Sequence, residues 1–432
     1  MRGVRVNRTA GISLNGMFRS FRYRNYRLYF AGQGISLIGT WIQRLATPWL
    51  VYHLTNSPFL LGLVGFAGQI PTFIIAPFAG VLTDRWNKYH IMIATQVGAM
   101  IQALLLAMLY FGGNIQVWEI VILNISMGII NAFDVPARQS YVIEMVENKE
   151  DLGNAIALNS SMVNAARLLG PSIAGILIAV AGEGICFLIN GLSYIFVITS
   201  LLMMKIKPAT HVIRENQHVI REMKEGFTYA FGSIPIKSVI YLLALVSLMG
   251  MSYTVLMPVF AREILHGGSH TFGFLMGASG LGALSGALYL ASRRTVVGLT
   301  GLIPVAAGIF GLGLVLFSFS RFFPLSMILM VLAGLGMMMQ MASSNTILQT
   351  IVDDKMRGRV MSFYTMAFMG TAPFGSIIAG SLAKLIGTPV TLLIGGLSCI
   401  MGAVVFASRL RKINGSITPV FERMGIIQSE GI

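Results

Sequence analysis

The chain is a succession of long apolar runs separated by short clusters of charge. Eight runs contain no Asp, Glu, Lys or Arg at all: 59–83, 91–111, 184–204, 238–261, 271–292, 295–320, 322–352 and 385–408. Four more stay apolar apart from one to three charges: 28–54 around Arg44, 116–138 around Glu119 and Asp134 with Arg138 at its end, 154–181 around Arg167, and 360–384 with Lys384 at its end. About 20 apolar residues suffice for a helix to cross the hydrocarbon core of a bilayer. The pattern therefore predicts an all-α membrane protein with twelve transmembrane helices, the last two parted only by the short turn Gly387-Thr388-Pro389.

Composition agrees. The 432 residues are 55% hydrophobic and 11% charged, with mean hydropathy +0.75, too few charges to cover a water-soluble surface. A net charge of +15 would suit a nucleic-acid partner if it formed one face. Instead the charges fall into the gaps between runs. With the N-terminus inside, 26 of the 31 Lys and Arg residues lie on the cytoplasmic side, and Arg262, Arg321 and Lys384 lie at the outer edges. Arg44 and Arg167 lie within spans. This is the positive-inside bias, and it places both termini in the cytoplasm of a multi-pass cell-membrane protein with the lipid bilayer as its surroundings. Residues 1–27 carry seven arginines and no apolar core, so a cytoplasmic tail is expected rather than a cleaved leader. Cys186 and Cys399 lie inside apolar runs and read as packing residues.

The longest gap, 205–237, follows the sixth run. Within it Ile213, Ile220, Met223, Phe227 and Phe231 recur at helical spacing, an amphipathic helix on the cytoplasmic surface that serves as a connector or, alternatively, as a lipid-binding element. The expected organisation is a tail at 1–27, a six-helix bundle at 28–204, the linker 205–237, a second bundle at 238–408 and a cytoplasmic tail at 409–432. The halves resemble each other: GPSIAGILIAVAG (170–182) matches GSIIAGSLAKLIG (375–387) at an offset of 205, and VENK (146–149) matches VDDK (352–355) at 206. Parallel repeats of this kind place a substrate site between the halves near the bilayer midplane.

Between the second and third spans stands GVLTDRWNKYH, residues 80–90. Lipid headgroups would account for Arg85 and Lys88, but a carboxylate at a helix end beside a glycine points to a specific ionic contact. Gly80-x-Leu82-x-Asp84-Arg85-x-x-Lys88 resembles the helix-two to helix-three signature of the major facilitator superfamily, with Asn87 and Tyr89 departing from it. The resemblance implies a gating relay of Asp84, Lys88 and Asp134, with Arg85 beside them, that locks the cytoplasmic side of the outward-open state. NSSMVNAARLLGPSIAG (159–175), DVPARQS (134–140) and DDKMRGRVMS (353–362) resemble the bacterial enterobactin-exporter-like and macrolide-efflux-like branch. Gly170, Pro171 and Gly175 resemble the helix-five hinge of drug/proton antiporters, where a proline removes one backbone hydrogen bond and glycines permit close packing. The resemblance implies efflux.

Polar residues inside spans outline a candidate cavity: Gln43 and Arg44, Asn124 and Asn131, Asn164 and Arg167, and Gln340. Singly, the amides read better as interhelical hydrogen bonds. Arg44 and Arg167 lie about 20 Å from the inner helix ends at 1.5 Å per residue, and an arginine that deep is a functional candidate by default. An arginine satisfied by neighbouring carbonyls and amides is the alternative. No carboxylate stands at the midplane, which favours an anionic or neutral amphipathic substrate over a cation. Asp134, or the substrate itself, would carry a coupling proton, making the proton gradient the expected energy source. No metal, cofactor or catalytic site is expected: Gly280-Leu281-Gly282 and Gly286 lie inside a span and read as packing glycines. The expectation is a monomeric, proton-coupled exporter of a small amphipathic or anionic molecule, not an enzyme and not a nucleic-acid binder. A lipid or lysolipid flippase, and a non-transporting sensor or assembly partner, are the alternatives.

Overall fold

The computed structural model describes residues 18–146, 148–205, 219–293 and 295–426, and every regular element among them is helical. Six long helices come first: α1 Arg24–Thr55, α2 Pro58–Arg85, α3 Lys88–Phe111, α4 Val117–Glu144, α5 Lys149–Ala181 and α6 Glu183–Leu202. A short helix, α7 Val219–Gly232, precedes six more: α8 Ile234–Ile264, α9 Ser269–Ser292, α10 Leu299–Phe319, α11 Phe323–Ile351, α12 Asp354–Ile386 and α13 Thr388–Ser408. A last helix, α14, covers Leu410–Arg423.

Eleven of these are long and apolar enough to cross a bilayer. The exception among the long helices is α1. Its 32 residues are ample in length, but Gln33, Gln43, Arg44 and His53 dilute its apolar character.

The helix ends follow local chemistry. Ser57 Oγ accepts from the Leu60 amide ahead of Pro58 at the head of α2, and a proline loses nothing there because the first-turn amides have no intrahelical partner. Gln116 and Glu119 form a reciprocal cap on α4. Asn148 caps α5, with Glu150 and Asp151 facing the positive end of the helix dipole. Gly387, at φ +85°, makes the sharp joint between α12 and α13, a backbone turn that a side chain would strain. Both α8 and α12 loosen into wide turns, at Val246–Gly250, Phe260–Ile264 and Met366–Gly370.

Helices α1–α6 pack among themselves, as do α8–α13, and the two groups meet mainly through α5 against α9 and α2 against α12. The end of the bundle holding Arg24 and Ser408 is termed the near end, and the opposite end the far end. The contacts between groups reveal the meaning of the sequence repeat. A Cβ on Gly175 would lie 2.9 Å from the Cα of Gly273, and one on Gly380 would lie 2.9 Å from the Cα of Gly62. Gly175 and Gly380 are equivalent positions of the repeated segments, so the same glycine seats both backbone-to-backbone crossings. Both crossings lie toward the far end. Tyr52 also donates there to Glu263 across the groups, with Arg262 over the Tyr52 ring at 5.9 Å. Among the described residues the contacts between groups continue inward to Phe73 against Gly370, Leu168 against Gly280 and Arg167 against Met337. The far end is shut and the near end open.

At the near end each group carries a strap. Ahead of α1, the Arg22 guanidinium pairs with Asp151 at 2.5 Å and the Tyr23 hydroxyl donates to the same carboxylate at 2.8 Å. Ahead of α8, Arg359 donates to Glu225 of α7 at 2.9 Å, and the Tyr229 hydroxyl donates to Asp353 at 3.2 Å. Phe21-x-Tyr23 and Phe227-x-Tyr229 stand 206 residues apart, the repeat offset again. The linker helix is thus docked: Phe227 and Phe231 pack their rings on Phe363 of α12 at 6.0 and 5.9 Å. Ile213 and the side chains of Ile220 and Met223 lie outside the described residues. On α14, Ile413, Ile417 and Phe421 turn inward on one face.

Candidate functional site

The cleft left between the groups is lined on one side by α1, α4 and α5, which bring three arginines together. Arg44 is solvent-accessible although enclosed by helices, and it feels the charges of Arg138 and Arg167 and the hydroxyl of Tyr194. Its guanidinium stands 5.1 Å over the Trp41 ring. Arg167, half-buried, touches Met337 Sδ at 4.0 Å on the opposing group. Neither arginine has a carboxylate partner among the described residues.

Arg138 is different. It pairs with Asp134 one turn earlier at 3.5 Å. Asp134 is buried and also accepts from Gln96 Nε2 at 2.7 Å and from the Thr95 hydroxyl at 3.2 Å. One carboxylate is therefore shared among three arginines, leaving the wall cationic. The facing group contributes no Asp, Glu, Lys or Arg over 238–261, 271–292 or 322–352, and its α11 carries the run Met337-Met338-Met339-Gln340-Met341. The charge of the cleft therefore lies on one side, while Met337, Met339 and Gln340 of the facing helix are buried in packing.

The expected cavity amides take other roles. Gln43 donates to Gln102 at 2.8 Å and accepts from Asn190 at 2.7 Å, all three buried. This network ties α1 to α3 and α6 and fixes the rotation of α1, so that Arg44, one residue on, faces the cleft. Asn124 donates to the Ile120 carbonyl of its own helix at 2.8 Å and packs beside Gly68. Asn164 likewise donates to the Ser160 carbonyl at 2.9 Å. Asn131 is half-buried without a hydrogen-bond partner among the described residues. Gln340 is buried and, among the described residues, bonds Ser344 of its own helix at 3.5 Å.

Of the expected near-end relay, the described side chains of Lys88 and Asp134 do not meet in this conformation. Lys88 donates to Glu144 at 2.7 Å, and Glu144 lies ten residues along α4 from Asp134, about 15 Å at 1.5 Å per residue. Gly80, Asp84 and Arg85 fall in the last turns of α2, and their side chains lie outside the described residues. The resemblance assigns the relay to the opposite state, with the near end closed. Pro171 and Gly175 lie at the far-end crossing, where a Cβ on Gly273 would lie 2.6 Å from the Pro171 carbonyl oxygen, whereas Gly170 packs within its own group, where a Cβ would lie 2.4 Å from Trp41 Cβ.

Several functional residues were not singled out from sequence. Thr95 and Gln96 hold Asp134, and their only signal was polarity inside the charge-free run 91–111. The Tyr52–Glu263 bond across the groups was hidden because Glu263 sits at a helix edge, where a charge needs no explanation. Glu183 is buried at the far end and accepts from the Tyr110 hydroxyl at 2.9 Å, with His53 Nδ1 at 3.4 Å.

Known proteins share this architecture throughout its length. The chain is 25% identical over 388 residues to the staphyloferrin A transporter of Staphylococcus aureus, covering 90% of this chain and 96% of that one. It is 23% identical over 410 residues to macrolide efflux protein A of Streptococcus pyogenes, covering 91% and 99%. Among solved structures, a bacterial homologue of the human lysosomal transporter Spinster, in an inward-facing and unoccupied conformation, superposes with a TM-score of 0.70 over 91% of this chain at 12% identity, and 98% of that chain is covered. The family model for transmembrane secretion effectors matches residues 15–421, and the chain belongs to that family of major facilitator superfamily transporters: it is a multi-pass membrane transporter and not an enzyme.

Proposed function

We propose that this transporter exports a small amphipathic anion, siderophore- or drug-like, across the cell membrane by alternating access, with protons moving in the opposite direction. On this reading α1 is a twelfth span, and the near end, with the basic tails and loops, is cytoplasmic. Residues 28–204 and 238–408 form two bodies that rock about the cleft, joined by the linker 205–237.

The observation that carries the reading is the pair of cleft arginines, Arg44 and Arg167, without a carboxylate partner among the described residues. A guanidinium held in a low-dielectric cleft without a counter-charge favours an arriving anion. The name of one relative, a macrolide efflux protein, supports outward transport, and that of the other, a staphyloferrin A transporter, supports a siderophore-like cargo. Asp134 is the residue that would carry the proton, since protonating it releases Arg138 from its only close ion pair.

Expression in a bacterial strain stripped of its own efflux pumps tests direction and charge preference together. Cells with the wild type should accumulate less of a fluorescent amphipathic anion than cells with Arg44→Gln or Arg167→Gln. Equal accumulation in all three, with each protein present in the membrane, would reject the reading.

A further inference from the structure

The positions of Arg44 and Arg167 say more about the substrate than its sign. Helices α1 and α5 run side by side in the same direction. Along them Tyr26 bonds the Ala155 carbonyl at 2.9 Å, Tyr29 bonds Asn159 at 3.3 Å, and Trp41 lies against Gly170. The register is therefore constant from the near end to the middle of the bundle. On that register residue 38 of α1 is level with Arg167, and Arg44 lies six residues deeper. At 1.5 Å per residue the backbone positions of the two arginines are staggered by about 9 Å along the cleft.

Both guanidiniums are open to the cleft, and each lacks a carboxylate partner among the described residues. Each follows the same local pattern, Arg-Leu-x-x-Pro, at 44–48 and 167–171. To reach a single carboxylate together, the two side chains would have to leave their present contacts, Arg44 over the Trp41 ring and Arg167 against Met337. Arg138, the third cation, already has Asp134. A singly charged substrate would leave one cleft arginine uncompensated.

We infer that the substrate is at least a dianion, with two acidic groups set about 9 Å apart along its length to match the backbone stagger of Arg44 and Arg167. This inference rests on the anion-export reading above and narrows it to elongated dicarboxylates or compounds with equivalently spaced acidic groups.

The tryptophan beneath Arg44 supplies a local reporter. The chain has four tryptophans, and replacing Trp49, Trp86 and Trp118 by Phe leaves Trp41 to report binding in nanodiscs. The probes are succinate, adipate, nonanedioate and tetradecanedioate, with nonanoate and nonylammonium as controls. Affinity should peak at nonanedioate, whose extended chain separates its carboxylates by about the helix stagger. It should exceed that of nonanoate by about tenfold, the weight of one further charge-assisted contact. Arg44→Gln and Arg167→Gln should each reduce nonanedioate to the level of nonanoate, whereas Arg44→Lys and Arg167→Lys, which keep the charge, should retain part of the preference and show that the fold is intact. Equal binding of nonanoate and nonanedioate, no optimum in the series, or no binding by any dicarboxylate would overturn the two-point anchor. Preferential binding of nonylammonium would overturn the anion reading beneath it as well.

Discussion

The glycine crossings at the far end yield a prediction whose size follows from the structure. A Cβ on Gly273 would come within 2.6 Å of the Pro171 carbonyl oxygen and 2.7 Å of the Gly175 Cα. Both are backbone atoms of a long helix and cannot swing aside as a side chain would. Gly273→Ala should therefore force α5 and α9 apart, at a cost of about 1–3 kcal/mol by the usual scale of overpacking. That cost is confined to the conformation with the far end shut, because the crossing is broken once the groups part there. The equilibrium between the two conformations should then move toward the far-open one by about 5- to 150-fold.

Alanine also gains about 1 kcal/mol of helix propensity over glycine, but it does so in both conformations, and this cancels. Gly308→Ala is the matched control, since a Cβ there meets nothing within 4 Å. Spin labels at Leu54→Cys and Leu385→Cys, two exposed far-end positions on opposite groups, would report the opening by pulsed electron spin resonance once Cys186 and Cys399 are replaced. Gly273→Ala should enlarge the long-distance population, and Gly308→Ala should leave it alone. Identical distance distributions in the two variants would refute the reasoning.

Other outcomes follow from the same contacts. Tyr52→Phe, which removes the hydrogen bond to Glu263, and Glu263→Gln, which weakens it, should shift the same spin-label distances in the direction of Gly273→Ala but less far; no shift in either would deny that bond a sealing role. Asp134→Asn removes the counter-charge of Arg138 while Gln96 and Thr95 can still donate to the remaining carbonyl oxygen. It should strengthen binding of an amphipathic anion and abolish pH-driven exchange, and a variant with unaltered exchange would remove Asp134 from the coupling. Asp151→Asn takes away the carboxylate that holds Arg22 and Tyr23, and should lower the melting temperature while leaving anion selectivity intact. A change in selectivity instead would mean that the strap acts on the cleft.

The fold was legible where charge and capping chemistry are local. The cluster of Asp84, Arg85 and Lys88 and the turn at Gly387 mark helix ends to within a few residues of where the structure puts them. The repeat was visible as matching text, but its physical meaning was not: only packing shows that Gly175 and Gly380 each receive a glycine from another helix. Arg44 and Arg167 were legible because a deep charge is expensive wherever it faces. Amides carry no such signal. Gln43 and Asn124 satisfy one another's neighbours or their own helix as readily as they would a substrate, and helical spacing alone cannot tell which. Partners distant in sequence, such as Tyr52 with Glu263 or Lys88 with Glu144, depend on how the two groups are disposed in one conformation, which no local pattern encodes.

The central claim is that the cleft selects anions and exchanges them for protons, and reconstitution in liposomes under an imposed pH gradient tests it most directly. A pH-sensitive dye would follow the gradient as anionic, neutral and cationic amphipaths of similar size are added in turn. The account predicts that the anions dissipate the gradient, that the cations do not, and that Arg44→Gln and Arg167→Gln suppress the response. Dissipation by cationic amphipaths alone, undiminished in both arginine variants, would contradict it.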